Sequence, residues 1–390
     1  MNPLRLVLII RRFWPMVGGP QKVMADLAAE LVNRGCEVTV LTVRWRPNWP
    51  TQICFDNVCV VRLSPPPEGA LRTIRYLRSL RQWLADNRDR YDAVYVSSLK
   101  HEARAALRTV GDRVPVVLRA ESAGHSGDCL WQIDAAAGRR IKQHCMKAAA
   151  LVGPSRAIER ELQAAGYPRP KIHHIANGVP LPPPRTAESK SAARSVLAEA
   201  NEDLRVSGWM QLAAYTGRLG PGKGLKHLVT AWKSIVTRWP NARLLLVGEG
   251  PEKATLVRQI EASRLRRRVD PIGAFDDVET VLAAADFFVR PSTETAVPLS
   301  LIEAMAASMP IVAADAPGSR EALGDDSRGL LVPPEDPNSL AAAMDRLLDD
   351  PALAARLGTA ARQRAVDQFS LAKMADQHVR LFEEVRQEYP

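Results

Sequence analysis

Aromatic residues are scarce, at 5% of 390 positions, and no stretch interleaves them with basic residues as a single-strand nucleic-acid groove requires. A nucleic-acid partner is therefore not expected. No uninterrupted apolar run reaches the length of a membrane span. Leu4–Ile10 is too short for a leader core and no cleavage site follows it, so the chain is expected in the cytoplasm. Cysteine is sparse and odd in number: Cys36, Cys54, Cys59, Cys129 and Cys145 form no Cys-x-x-Cys pair. That argues against a disulfide framework or a structural zinc and for buried, reduced thiols. No Asp-x-Asp pair is present to carry magnesium, and no metal or other cofactor is expected. Short-period repeats are absent, and the only biased tract is a cluster of prolines.

What is present is ordinary globular composition, 46% hydrophobic and 25% charged, with a formal net charge of +10. The length gives a prior of two or three domains. The charge favours an anionic partner: a nucleotide, or an acidic surface. Strand patterns alternate with helix patterns in two series, which implies parallel sheets covered on both faces. The first series opens at Leu4–Ile10 and continues through Glu37–Thr42, Val58–Leu63, Ala93–Ser97, Val114–Leu118, Ala150–Val152 and Lys171–Ile175. The second runs through Leu212–Thr216, Ala242–Val247, Val269–Ile272, Asp286–Arg290, Ile311–Ala314 and Gly329–Val332. Between them Pro180-Leu181-Pro182-Pro183-Pro184 reads as a stiff, extended connector. The expected division is residues 1–179 and 180–370, with a last helix at 371–390.

The second series carries the densest motifs. Gly217-Arg218-Leu219-Gly220-Pro221-Gly222-Lys223-Gly224 joins a strand to a helix; its glycines permit close backbone approach, and Arg218 and Lys223 can neutralise a diphosphate. It scans as a phosphate-binding Walker loop, but Gly224 stands where a magnesium-holding hydroxyl belongs, which argues against an ATPase. Val247-Gly248-Glu249-Gly250-Pro251 ends the next strand, with Pro251 at a plausible first helical position. The stretch Pro291–Asp315 then reads as a strand exit, a loop with Glu294, a helix with Glu303, and a buried strand. It joins a helix N-terminus at Pro298-Leu299-Ser300, an anion site, to two carboxylates able to accept bonds from sugar hydroxyls. A solvated carboxylate is the alternative for Glu303, disfavoured by the apolar flanks Leu301, Ile302, Ala304 and Met305, and a simple glycine turn is the alternative for each glycine motif.

These segments resemble the retaining, nucleotide-sugar-dependent glycosyltransferases of family 4, which have the GT-B fold. The family pattern P-S-x-x-E-G-x-P-L-x-L-x-E-A-M-A-x-G-x-P is close to PSTETAVPLSLIEAMAASMP here, and G-R-L-x-x-x-K-G is matched in full. The resemblance implies an α/β GT-B architecture: two Rossmann-like domains facing a central cleft, with the C-terminal helix crossing back to the first. It implies a nucleotide-sugar donor held by Arg218, Lys223, Gly250, Ile272, Pro298, Leu299, Ser300 and Glu303, with Glu303 on the ribose. It also implies that Gly19, in Gly18-Gly19-Pro20, contacts the donor phosphates or the acceptor. The pattern departs at one catalytic place. Counting back from Pro298, the family's Glu position holds Thr295, and Glu294 precedes it; Ala296 and Ser308 replace family glycines. Either a one-residue shift presents Glu294 to the donor sugar, or Thr295 takes the place. In the first series the family often sets a His just past the fifth strand pattern; Glu121 stands there by register and His125 comes four residues later, and both are candidates. Asn177-Gly178-Val179 and Gly318-Ser319-Arg320-Glu321 match weaker family segments.

The implied activity is transfer of a sugar from a UDP- or GDP-sugar to a hydroxyl of a glycan or lipid-linked acceptor, with retention, in polysaccharide or glycolipid synthesis. A sugar-nucleotide epimerase of the same architecture and a non-catalytic donor-binding subunit are the alternatives. Finally, Leu71–Leu84 reads as a basic amphipathic helix, with Arg72, Arg75 and Arg78 on one face and Leu71, Ile74, Leu77, Leu80, Trp83 and Leu84 in an apolar stripe. It suits either the inner face of an anionic membrane or packing against the sheet.

Overall fold

The computed structural model describes residues 3–389 apart from 17, 56, 64–70, 125–126, 202–203, 205 and 276, and only the backbone of Arg72. Runs of Val, Leu, Ile and Ala form strands covered on both faces: every residue of Ala93–Ser97, Leu212–Thr216 and Arg243–Val247 is buried. The chain divides into two units, Met1–Gly178 with Leu371–Pro390, and Val179–Ser370.

The first unit holds β1 (Arg5–Ile9), β2 (Glu37–Val43), β3 (Gln52–Phe55), β4 (Val58–Leu63), β5 (Ala93–Ser97), β6 (Val116–Arg119), β7 (Ala150–Gly153) and β8 (Ile172–His174). They lie in the order β3-β4-β2-β1-β5-β6-β7-β8, parallel except for the β3–β4 hairpin. The strand order reverses between β1 and β5, so the loops after these two strands flank the switch point. The last helix, Leu371–Gln387, packs in this unit along Gly19–Asn33, where Arg34 donates to Asp376 at 2.8 Å and to the Ala372 carbonyl at 3.0 Å. Its His378 is buried: Nδ1–H donates to the Met374 carbonyl at 2.8 Å, which leaves Nε2 to accept from Tyr95 Oη at 2.8 Å.

The second unit holds β9 (Leu212–Thr216), β10 (Arg243–Val247), β11 (Val269–Gly273), β12 (Phe287–Arg290), β13 (Ile311–Ala314) and β14 (Leu330–Val332), all parallel in the order β11-β10-β9-β12-β13-β14. This is the doubly wound order, with its switch point between β9 and β12. Trp232, fully buried, meets Phe287 with ring centroids 6.4 Å apart and anchors the helix Leu225–Arg238 on one face. Val179 and Ser370, the first and last residues of the unit, form a parallel bridge, and Val179 N–H donates to the Phe369 carbonyl at 2.9 Å.

Several expectations are corrected. β3 and the helix Ala187–Ala200 occupy stretches where the pattern set no element; the helix begins in a capping box of Thr186 and Ser189. β6 starts at Val116, two residues late, and the helix after Gly250 starts at Lys253, leaving Pro251 in a turn. Cys54 is exposed and Cys59 half-buried, because both sit on the edge hairpin; Cys36, Cys129 and Cys145 are buried. The helix Leu71–Asp86 buries Tyr76, Leu80 and Leu84, whereas Leu71 and Ile74 stay exposed beside Arg75 and Arg78. Basic and aromatic side chains do interleave, around residues 11–62, where Arg12 lies over Trp45 and Arg46 over Trp49. Among the described residues no helix is long and apolar enough to cross a membrane.

Candidate active site

The two loops at the switch point of the second sheet, after β9 and after β12, come together through backbone bonds. Thr293 N–H donates to the Gly222 carbonyl at 3.1 Å and Ser292 Oγ to the same oxygen at 3.2 Å. Two glycines let neighbouring strand ends meet the loop after β9, Gly224 against the loop after β12 and Gly248 from the loop after β10. Gly224 has φ +69°, and a Cβ there would sit 2.0 Å from the Pro291 carbonyl oxygen; Gly248 has φ +147°, and its Cβ would meet the Gly217 carbonyl oxygen at 1.9 Å. Gly224 and Gly248 are therefore demanded by strand-end packing as well as by any ligand.

This contact places Glu294 between two cations. Lys223 Nζ donates to one carboxylate oxygen of Glu294 and Arg290 Nη2 to the other, while Arg290 Nη1 donates to Ser300 Oγ at 3.2 Å. Arg290 is almost wholly buried and its Nε has no hydrogen-bond partner among the described residues. Burial alone would raise the Glu294 carboxyl, but Arg290 and Lys223 outweigh it and hold it below the usual carboxylate range. Burial, reinforced by Arg290 and opposed by Glu294, lowers the Lys223 ammonium. Two cations hold Glu294 and exposed Arg218 also acts on Lys223, a local excess of positive charge that suits a phosphate-bearing ligand. Thr295 is exposed.

The remaining predicted residues of this unit line the same edge. Pro298 caps the helix Leu299–Ala306, which carries no acid in its first turn and half-exposes Leu299, Ser300 and Glu303. A Cβ on Gly250 would meet the Leu219 carbonyl oxygen at 2.1 Å, much as at Gly224 and Gly248. Ile272 falls in a bulge, where the β10–β11 register jumps from Leu246 opposite Pro271 to Val247 opposite Gly273. Arg290 is the residue that motif reading did not single out. Its only signal was a charge ending the apolar strand FFVR.

In the first unit, Gly19 begins the helix Gly19–Asn33, whose first turn also lacks an acid. Glu121 sits past β6 in a polar network. Ser97 Oγ donates to it at 2.5 Å, and its own N–H donates to Asp128 at 2.8 Å, with Lys100 3.7 Å from Asp128. Burial raises the carboxyls of both Glu121 and Asp128, against the opposing pull of Arg119 and Lys100. Asp128, Lys100 and Ser97 were not anticipated; they surface only when the loops after β5 and β6 are adjacent. His125 lies outside the described residues. Among the described residues, no group of three or more His, Cys, Asp or Glu is placed to hold a metal ion.

Comparison with known proteins agrees with this layout. Residues 202–364 match the family described as glycosyl transferases group 1, and residues 17–181 match glycosyltransferase family 4. The α-D-kanosaminyltransferase of Streptomyces kanamyceticus is 27% identical over 240 residues, 61% of either chain; the match thus spans under two thirds of that relative. The sucrose-phosphate synthase of Thermosynechococcus elongatus superposes with a TM-score of 0.78 at 23% identity, covering 99% of this chain and 100% of that one. Anabaena HepE in complex with UDP-glucose gives 0.76 at 19% identity, covering 98% and 100%. The two doubly wound units, their motif loops and these matches assign the chain to glycosyltransferase family 4 (glycosyl transferases group 1), with the GT-B fold.

Proposed function

We propose that the protein is a retaining glycosyltransferase that moves a sugar from a nucleoside-diphosphate sugar, UDP- or GDP-linked, to a hydroxyl of an acceptor. The observation that carries this reading is the convergence of Lys223, Arg290 and Glu294 at the β9–β12 switch point. Arg218, Lys223 and the N–H groups of Leu299 and Ser300 at the helix N-terminus meet the diphosphate, whose charge grows as it leaves. Glu294 accepts from hydroxyls of the transferred sugar, and Glu303 from the ribose. The acceptor oxygen forms a bond to the anomeric carbon, the bond from that carbon to the diphosphate oxygen breaks, and the acceptor proton goes to the departing diphosphate or to solvent. Glu121, whose carboxyl is raised by burial, and His125 are the catalytic candidates of the first unit. UDP-glucose in the Anabaena HepE structure supports UDP as the first donor base to try.

A panel of UDP- and GDP-sugars tests this by thermal shift and then by turnover of the labelled donor. A true donor at 100 times its dissociation constant should stabilise the fold by ~2.7 kcal/mol. Slow release of free sugar is the expected product without acceptor. An epimerised nucleotide sugar would establish the epimerase alternative instead, and binding with no turnover under any acceptor would leave a donor-binding subunit.

A further inference from the structure

The first unit carries a second cluster that the switch-point chemistry does not use. Residues 11–25 and 44–55 contain no acid. The β3–β4 register pairs Phe55 with Val58, so Phe55, Val60 and Arg62 share one face of the hairpin. Arg62 is only 3% exposed and has no carboxylate partner among the described residues. Its guanidinium lies 5.9 Å from the Trp14 ring and 5.3 Å from the Trp49 ring, and it donates to the carbonyls of Trp14 at 3.1 Å and Pro50 at 3.2 Å. Its Nε, buried, has no hydrogen-bond partner among the described residues. Burying a guanidinium with no carboxylate beside it is costly, and here its carbonyl bonds and ring contacts fix the orientation of two indoles.

Trp14 in turn stacks on Phe55, centroids 5.8 Å apart and planes within 10°, and the two rings remain 50% and 56% exposed. Exposed Arg12 and Arg46 stand over the neighbouring rings of Trp45 and Trp49, and among the described residues no acid pairs with either. The loop is stiffened from within, where Arg44 Nε donates to the Trp49 carbonyl at 2.7 Å. The result is a flat aromatic step of fixed spacing with a cationic rim. Flat rings present a negative face, which matches the C–H face of a pyranose, and the rim matches an anion. A bilayer demands no fixed ring spacing.

We propose that this face binds an anionic glycan, with sugar rings on Trp14 and Phe55 and carboxylate or phosphate groups at Arg12 and Arg46, and that this glycan is the acceptor. The choice of sugar rings over nucleobases, and the role as acceptor, rest on the glycosyltransferase reading above.

Binding is measured without donor, by tryptophan fluorescence and calorimetry, using a hexuronate oligosaccharide, a phosphorylated oligosaccharide and a neutral one of equal length. At least one anionic oligosaccharide should bind in preference to the neutral one, with affinity falling as salt rises. Which of the two binds separates carboxylate from phosphate. Trp14→Ala should weaken that binding about fivefold to tenfold; Phe55→Ala, on an exposed edge, serves where Trp14→Ala lowers the melting temperature. Arg46→Gln should remove most of the preference over the neutral glycan. UDP-sugar stabilisation should be the same in all variants. If it is absent in wild type while the glycan still binds, the donor reading fails and the platform stands. The proposal is overturned if no anionic oligosaccharide is preferred, or if the variants bind it like wild type. It is also overturned if Trp14→Ala reduces binding to phosphatidylglycerol vesicles or oligo-dT in place of the oligosaccharide.

Discussion

At Glu294 the question left by the displaced motif becomes one of hydrogen bonds. Its carboxylate is held by Lys223 and Arg290 at once, while Thr295 next to it is exposed. Glu294→Gln keeps the shape but surrenders a charge that both cations need, and turnover should collapse while UDP binding survives; Thr295→Ala should cost little. The reverse pattern would give the place to Thr295. Lys223→Ala should lower the rate ~10²–10³-fold if the ammonium acts on the leaving group as other preorganised donors do. Steady-state rates within a few-fold of wild type would remove Lys223 from that role. A second residue-scale prediction concerns His378. Burial drives its pKa down to about 4, with the bond to Met374 opposing and Arg119 adding to the drop. The unfolded chain, with an ordinary histidine, therefore binds the extra proton between about pH 6.5 and 4. Stability from this group is complete above that window and is lost as pH falls through it, by roughly 1.4 kcal/mol per pH unit. Urea midpoints from pH 7.5 to 5 should fall more steeply for wild type than for His378→Gln; parallel curves would show that another group is responsible.

Among the elements, legibility followed periodicity and punctuation. β9, β10 and β12 were readable because each is a buried apolar run closed by Gly or Pro, and the helices between them keep a clear apolar face. β3 was not, because an exposed four-residue edge strand has neither length nor alternation. The helix Ala187–Ala200 hid behind the prolines: its sequence is mostly Ala and Ser with few large apolar residues, and beside buried Leu197 and Ala193 part of its hold on the unit is polar. There buried Arg194 donates to the carbonyls of Ala284 at 3.1 Å and Ser207 at 2.9 Å. Of the candidate site, Lys223 and Glu294 each stood out within a continuous motif. Arg290 did not, since its meaning depends on β12 lying beside β9. The basic helix Leu71–Asp86 divides between its two readings, one face buried and the other leaving Leu71 and Ile74 exposed with Arg75 and Arg78. Each exposed cation near an anionic bilayer contributes ~1 kcal/mol. Arg75→Gln with Arg78→Gln should therefore reduce sedimentation with phosphatidylglycerol vesicles, and unchanged sedimentation would leave only the packing role.

For the whole molecule, the parting of the chain into two units determines what can be tested separately. All the groups assigned to the donor except Gly19 belong to Val179–Ser370, and the aromatic step belongs wholly to the other unit. Produced alone, residues 179–370 should melt cooperatively and be stabilised by UDP; a fragment that is unfolded by circular dichroism would show that the unit depends on the rest of the chain. The bridge between Val179 and Ser370 gives this expectation a further meaning. Because the ends of that stretch are already fastened together, it behaves topologically as a cassette: closing its termini has almost no entropic penalty left to bear. A short linker joining 370 back to 179 would yield circular permutants opened at any surface loop of the donor half. The same joint lets Val179–Ser370 be exchanged for another such unit through two adjacent splice points, so that whatever this unit selects can change by recombination while the first unit is left untouched.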